Sequence, residues 1–304
     1  MAGGVINTSS FAKSLWPGIN AWYGKAYNEY PVEYTKLFET FKSRKAFEED
    51  VGISSFGLAH VKGEGSSIVY DSERQTLISR YQHTVFALGF MVTREAYDDD
   101  QYDVVGQRRA QGLAFSMRQT KEINAANVYN RAYTAGYVGG DGVVLLSKAH
   151  PNWVGGTWSN ILATASDLSE AALEQASIDI QNFRNDRGLL IAVKPKSLIL
   201  PPSLEFEAKR ILGTDGRVGT NLNDLNAVKT MGIIPEVVVN HYLTDPDAWF
   251  IRTNVPHGMK HFERDPDEFG MDTDFDTENA KYKARARYSF GWTDPRGLFG
   301  SPGA

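Results

Sequence analysis

Cysteine is absent from the whole chain of 304 residues. Disulfides, thiolate zinc sites, iron–sulfur clusters and a cysteine nucleophile are therefore excluded. Long apolar runs are also missing, and no stretch has the length that crosses a bilayer. The N-terminal residues lack the basic and apolar segments of a secretion signal. We therefore expect the protein to be located in a cytoplasm after synthesis and to have no membrane partner.

A surplus of positive charge is missing as well, because the formal net charge is −5 at pH 7. Tight binding to nucleic acid by phosphate neutralisation requires a concentrated basic surface. We therefore expect DNA to be a non-specific neighbour at most. The hydrophobic share of 42% and the charged share of 23% are those of an ordinary folded protein.

An acidic stretch near the C-terminus, Asp272–Glu278, has the alternating carboxylates of an ion-binding loop. The rest of an EF-hand is missing, because Thr277 stands where the motif needs glycine and Lys283 where it needs glutamate. We therefore interpret this stretch as a solvated acidic turn.

Two histidines, His257 and His261, have the spacing of zinc ligands on a helix. Pro256 and Gly258 oppose such a helix, and the glutamate of a zinc protease is absent, so loop histidines are the favoured interpretation. The sequence has no nucleophile elbow and no complete phosphate-binding loop. We assign no catalytic residue, no cofactor and no metal ligand.

The first thirty residues are rich in aromatic side chains with no clear period, which is typical of an arm that docks on a larger surface. A frayed terminus is the alternative. Between Val32 and Glu49, apolar residues at three- and four-residue steps predict a short amphipathic helix.

Strand-type sequence follows, and it predicts a long, thin hairpin. The predicted strands are Leu58–Val61, Ile68–Tyr70 and Tyr81–Val92, and Gly63 and Gly65 lie between the first two. A hairpin of this kind cannot bury its own faces, so it requires a second surface.

A very long helix is predicted from Arg94 to about Thr134, with the acids Asp98–Asp100 near its start and an apolar stripe along one side that includes Ala110, Leu113 and Met117. If about 35 residues are continuous, the helix extends about 50 Å. The second half of the chain alternates strands and helices. A turn followed by a strand is predicted at 137–147. Further strands are predicted at Leu189–Val193, Pro235–Val239, Ala248–Arg252 and Tyr282–Trp292, and helices begin at an N-cap of Asp167 or Ser169 and near Ser203.

Three stretches, in this order, resemble the capsid protein fold of phage Hong Kong 97, which tailed-phage major capsid proteins share with encapsulins. Residues 81–100, which run into 113–116 and 124–130, resemble the extended loop that returns into the spine helix. Residues 171–210 resemble the entry into the axial domain, and residues 282–298 resemble the closing strand. The resemblance implies an α+β fold with an N-terminal arm, an extended β-hairpin loop, a peripheral domain with a long spine helix, and an axial domain.

The same resemblance divides the chain into five segments. They are an N-terminal arm (1–49), the extended loop (50–93), the peripheral domain with the spine helix (94–160), the axial domain (161–271), and a return to the peripheral domain with the C-terminal tail (272–304).

The implied function is that of a major capsid protein, a structural subunit without enzymatic activity. It would self-assemble as hexamers and pentamers into an icosahedral shell around phage double-stranded DNA, in a virion assembled in the bacterial host cytoplasm. The implied partners are other copies of the chain, a scaffold protein, a portal and decoration proteins. The candidate contacts between subunits are Phe11, Trp16, Trp22, Tyr23, Lys62, Glu64 and Tyr70.

Two alternatives differ from this hypothesis in a measurable way. An encapsulin-type nanocompartment shell would have the same fold but would enclose an enzyme cargo instead of DNA. A metal-dependent hydrolase would use His257, His261 and the acids of 272–278, and it would hold a stoichiometric metal ion.

Overall fold

The computed structural model describes residues 9–93, 95, 102–152, 155–216, 224–274 and 279–304. The helices in this part of the chain are α1 (Ser9–Glu29), α2 (Tyr34–Leu37), α3 (Tyr102–Asn130), α4 (Glu170–Gln181), α5 (Glu205–Gly213) and α6 (Ala227–Thr230). The strands are β1 (Glu39–Lys42), β2 (Phe47–Ile53), β3 (Gln75–Gln82), β4 (Thr84–Val92), β5 (His150–Pro151), β6 (Thr157–Trp158), β7 (Pro195–Leu200), β8 (Glu236–Val239), β9 (Trp249–Thr253), β10 (Met259–Thr273), β11 (Ala280–Trp292) and β12 (Leu298–Ser301).

The first four-stranded sheet has the order β1-β10-β11-β4, in which β1 is parallel to β10 and the other pairs are antiparallel. Strand β11 has the alternation that a half-buried strand needs, because Tyr282 and Ala284 are buried whereas Lys281 and Lys283 are exposed. Helices α1 and α3 cover the buried face and share one hydrophobic core with it. The prediction of a strand at 282–292 is therefore confirmed.

The long helix is confirmed as α3, which has 29 residues and extends about 43 Å. Its buried side includes Ala110, Leu113 and Met117, as the sequence predicts. The acids Asp98–Asp100 lie outside the described residues.

The second four-stranded sheet has the order β12-β9-β7-β8 and packs with α4, α5 and α6 around a second core. The N-cap prediction for α4 is confirmed at Ser169, whose hydroxyl accepts a hydrogen bond from the Ala172 amide at 3.2 Å. The predicted strands near 235–239 and 248–252 are confirmed as β8 and β9, and the predicted helix near Ser203 is confirmed as α5.

Of the first thirty residues, Ser9–Glu29 are helical as α1, which corrects the prediction of a segment without a clear period. Ile19, Tyr23 and Ala26 form a buried stripe at four- and three-residue steps that packs on α3 and the first sheet. The helical spacing is visible only when Ile19 and Ala26 are included, because the aromatic residues alone do not follow it.

The helix predicted between Val32 and Glu49 is wrong beyond its first turn. Only α2 is helical, and the chain then continues as β1 and β2. Strand β1 pairs with β10, so backbone pairing with a strand more than 200 residues away overrides the local pattern. Phe41 and Phe47, which the helix would have buried, are exposed.

The hairpin is present, but only one of its three predicted strands is found at the predicted position. Tyr81–Val92 is confirmed as β4 together with the end of β3, although β4 pairs with β11. Strand β2 pairs with β3, whereas residues 58–61 and 68–70 form no strand. The predicted strand Leu189–Val193 is also wrong: Ala192 has a φ of 50°, which interrupts extended backbone, and the strand begins at Pro195. Residues 137–147 form turns with one isolated bridge instead of a strand.

Strands β10 and β12 are absent from the sequence predictions. Seven of the 15 residues of β10 are charged, so it has little of the apolar alternation that identifies a strand. The proposed domain boundary between 271 and 272 falls inside β10, and β12 belongs to the second sheet.

Candidate assembly surfaces

The hairpin ends in a segment without regular secondary structure. Residues 55–73, which we call the loop tip, contain no helix or strand. Hydrogen bonds within this segment include one from the Gly57 amide to Asp71 at 2.8 Å and one from the Ser66 amide to Gly63 at 3.1 Å. One contact with the body comes from Arg187, which donates to the Ser72 carbonyl at 2.8 Å.

The loop tip exposes apolar side chains to solvent. Val61 is fully exposed and Tyr70 is 90% exposed. The exposed apolar residues of the tip are Phe56, Leu58, Val61, Ile68, Val69 and Tyr70. Grouped exposed apolar residues mark a surface that binds another molecule. The candidate residues Lys62 and Glu64 are exposed on the same segment.

The base of the hairpin, by contrast, is fastened to the body. We call residues 47–53 and 75–83 the hairpin foot. Asp50 pairs with the buried ammonium of Lys260 and accepts a 2.6 Å hydrogen bond from the Thr293 hydroxyl. Tyr81 in turn donates to Thr293 at 2.7 Å. Burial alone would raise the pKa of Asp50, but the hydrogen bonds from Lys260 and Thr293 outweigh it and lower this pKa.

A second group of hydrogen bonds fixes the foot through His83. The Ser43 hydroxyl donates to Glu48 at 2.7 Å, and it lies 3.1 Å from Nε2 of His83. Because the Ser43 proton points to Glu48, Nε2 of His83 is the donor to Ser43, and Nδ1 accepts from Ser289 at 2.9 Å. Burial lowers the pKa of His83, so the neutral ring that this arrangement needs is the stable form.

The arm candidates lie on α1. Tyr23 is buried within its own chain, where its ring stacks on Phe269 at 4.5 Å and its hydroxyl donates to Asp267 at 2.5 Å. Burial raises the pKa of Asp267. Trp22 is partly buried and packs against the same core. The side chains of Phe11 and Trp16 lie outside the described part of the chain.

The connection after α1 is fastened to the long helix. Arg118 donates to the Tyr27 carbonyl at 3.0 Å. Glu122, also on α3, accepts from the amides of Glu33 and Tyr34 at 3.1 and 2.9 Å. Burial raises the pKa of Glu122, and these two amides counteract part of that effect.

The described residues of the metal-dependent hydrolase hypothesis do not meet. His261 is fully buried on β10 and stacks on Phe290 at 4.4 Å, whereas His257 contacts Lys260. Asp272 lies eleven positions further along the same strand, on the order of 35 Å away. Residues 275–278 lie outside the described ones. Within the described ranges, no group of three or more histidine or acidic residues is arranged to hold a metal ion.

A cavity of about 350 Å³ lies between α3 and the adjacent parts of β4 and β11. Arg131 is the charged side chain among the described residues that line it, together with amides such as Asn124 and Asn127. An acid–base pair is not formed by this lining. In the described part of the chain, no helix has the length and apolar character needed to cross a membrane.

The model of the Phage capsid protein family matches residues 77–300, about three quarters of the chain. The chain belongs to this family. It is therefore a major capsid structural protein of the virion shell, and the family match favours this hypothesis over an encapsulin. No curated protein matches the chain significantly.

Solved structures show the same fold at low sequence identity. A virus-like particle from Pyrococcus furiosus is 12% identical, with 93% of this chain and 97% of that chain covered and a TM-score of 0.55. The capsid of a native GTA particle is 12% identical, with 88% and 89% covered and a TM-score of 0.53. Microbacterium phage Oxtober96 is 9% identical, with 90% and 92% covered and a TM-score of 0.52. The Hong Kong 97-like capsid fold predicted from the sequence is confirmed.

The hydrogen bonds and the ion pair that anchor the hairpin foot to the body are not predicted by the sequence. Asp50 and Lys260 are 210 residues apart, and His83 and Ser289 are 206 residues apart. Each residue is ordinary by itself, and only the pairing of strands brings the partners together.

Proposed function

We propose that this capsid subunit assembles as hexamers and pentamers into an icosahedral shell around double-stranded phage DNA. Copies of the chain are its main partners, and a scaffold protein, a portal and decoration proteins are further partners during assembly in the host cytoplasm. DNA is a non-specific neighbour, consistent with the net charge of −5. The role is structural and not enzymatic.

The observation that carries this proposal is the exposed apolar surface of the loop tip. A side chain such as Val61 or Ile68 gains about 1.5 to 3 kcal/mol when it is fully buried. The body of its own chain leaves these residues exposed. A neighbouring copy would supply the missing surface, and Lys62, Glu64 and Tyr70 would lie at that contact. Of the arm candidates, Phe11, Trp16 and Trp22 would add to it, whereas Tyr23 is already buried in its own chain.

A triple variant tests the role of the loop tip. Val61→Ser, Ile68→Ser and Tyr70→Ser together remove apolar area without changing the length or backbone of the loop. We expect the parental chain to form large closed shells in negative-stain images, and the triple variant to stay folded by circular dichroism without forming shells.

The matched control is Ser67→Ala with Ser72→Ala, which changes the same segment but keeps its apolar residues. It should assemble as the parent does. Normal shells from the triple variant would contradict the role of the tip, and a parental chain that remains a small globule would contradict the proposed function. Nuclease-protected DNA in particles made during infection would support the phage role, whereas a protein cargo would favour the encapsulin alternative.

A further inference from the structure

The turn that follows α3, residues 137–142, touches the hairpin foot at a glycine. A Cβ atom placed on Gly140 would lie 2.7 Å from the carbonyl oxygen of Ile78 and 2.9 Å from its carbonyl carbon. Carbon atoms in ordinary contact are about 3.5 to 4.0 Å apart. The turn therefore contacts the backbone of β3 with no room for a methyl group.

A second glycine meets the foot from β11. A Cβ atom on Gly291 would lie 2.9 Å from Cε1 of Tyr81, which is three residues further along β3 than Ile78. Two elements therefore contact β3 at two points. We call Gly140 and Gly291 the hairpin seat.

The turn that carries Gly140 is held in place by its own hydrogen bonds. The Gly139 amide donates to Val143 at 2.8 Å, and the Gly142 amide donates to Gly139 at 3.1 Å. Asp141 accepts a hydrogen bond of 2.6 Å from His150, and both of these side chains are almost completely buried. These hydrogen bonds and the buried Asp141–His150 pair anchor the turn. If a side chain is placed at Gly140, we therefore expect β3 to move and the turn to stay in place.

A small shift at the seat is amplified at the loop tip. Tyr81 is fastened through Thr293, and Ile78 lies about 10 Å from it along the strand. The loop tip begins at residue 73, eight positions from Tyr81, which corresponds to about 26 Å at the rise of an extended strand. A shift at Ile78 therefore moves the start of the tip by more than twice that amount.

We propose that Gly140 and Gly291 are positioning residues that set the angle at which the hairpin leaves the body. Through this angle they determine where the loop tip meets a neighbouring copy, and hence the curvature of the shell. The part that concerns the shell rests on the proposed function. The part that concerns the angle is a property of the single chain.

The substitution Gly140→Ala isolates the contact, because Gly140 does not have the positive φ that would itself oppose alanine. Gly112→Ala is the matched control, since a Cβ on Gly112 in α3 would meet nothing within 4 Å. Gly291→Ala is the second variant, in which the methyl group meets a ring edge instead of backbone.

The absence of cysteine makes a distance measurement direct. Spin labels on Ser67→Cys in the loop tip and Lys209→Cys on α5 report the distance between the tip and the body by double electron–electron resonance. Labelled full-length chain is diluted in excess unlabelled chain, so that distances within one chain dominate. We expect Gly140→Ala to shift the mean distance by about 2 Å, Gly291→Ala to shift it less, and Gly112→Ala to leave it unchanged.

An unchanged distance in the folded Gly140→Ala chain would overturn the proposal, and if that variant fails to fold, Gly291→Ala decides in the same way. Shell diameter is the second measurement: a changed diameter or a loss of closure supports the effect on curvature, and parental shells despite a shifted distance contradict it. If the parent forms no shells, the proposed function fails, while the distance measurement still decides whether the seat sets the angle.

Discussion

The two ends of the extended hairpin differ in how strongly they are anchored to the rest of the chain. The hairpin foot is fastened to the body through Asp50 and Lys260, through Tyr81 and Thr293, and through His83. The loop tip has a single side-chain anchor among its described contacts, from Arg187. We propose that the foot sets the direction of the hairpin, whereas the exposed side chains of the loop tip are covered by a neighbouring copy.

The largest effect on the isolated chain is expected from Asp50→Ala. The ammonium of Lys260 is almost completely buried, and it would lose its counter-charge, while Thr293 would lose its acceptor. Removing one partner of a buried ion pair costs about 3 to 5 kcal/mol, and the partial exposure of Asp50 reduces the expected loss to about 2 to 3 kcal/mol. Chemical denaturation measures this free energy of unfolding.

Two matched variants sharpen the comparison. Glu49→Ala removes the neighbouring ion pair with Arg80, in which both side chains are about half exposed, so it should cost less than about 1 kcal/mol. Val61→Ser at the loop tip should change the free energy of unfolding by less than about 0.5 kcal/mol. Equal losses in all three variants would show that the foot is not specially fastened.

A somewhat smaller effect should appear with pH in the sheet that supports the foot. Burial lowers the pKa of His261 from 6.5 to about 3, so the folded chain keeps the neutral ring. As the pH falls below about 6.5, the unfolded chain binds a proton that the folded chain does not, and the free energy of unfolding decreases. Between pH 7 and pH 5 this histidine should account for about 2 kcal/mol of the loss.

His261→Phe tests this assignment, because phenylalanine keeps the ring stack on Phe290 and cannot titrate. The free energy of unfolding of the variant should depend less steeply on pH than that of the parent over this range. Parallel pH profiles would exclude His261 as the cause.

The elements predicted correctly are those whose signals are local. The alternation of Tyr282 and Ala284 with Lys281 and Lys283 identifies β11, Ser169 identifies the start of α4, and the unbroken helical stripe identifies α3. These signals need no knowledge of what each element packs against.

The elements predicted wrongly depend on distant partners. Residues 39–42 form a strand because β10 lies beside them, although their own spacing favours a helix. The extended strand expected at Leu189–Val193 is interrupted at Ala192. The contacts of the hairpin foot and of the hairpin seat join residues that are far apart in sequence, so no local sequence pattern predicts them.

The measurement that tests the central claim most directly is amide hydrogen exchange on isolated subunits and on closed shells, with peptides that separate residues 55–73 from residues 75–83. We predict that the foot is protected in both states, whereas the loop tip exchanges fast in the subunit and slowly in the shell. A loop tip that exchanges equally fast in both states would contradict the claim that contacts between copies complete this surface.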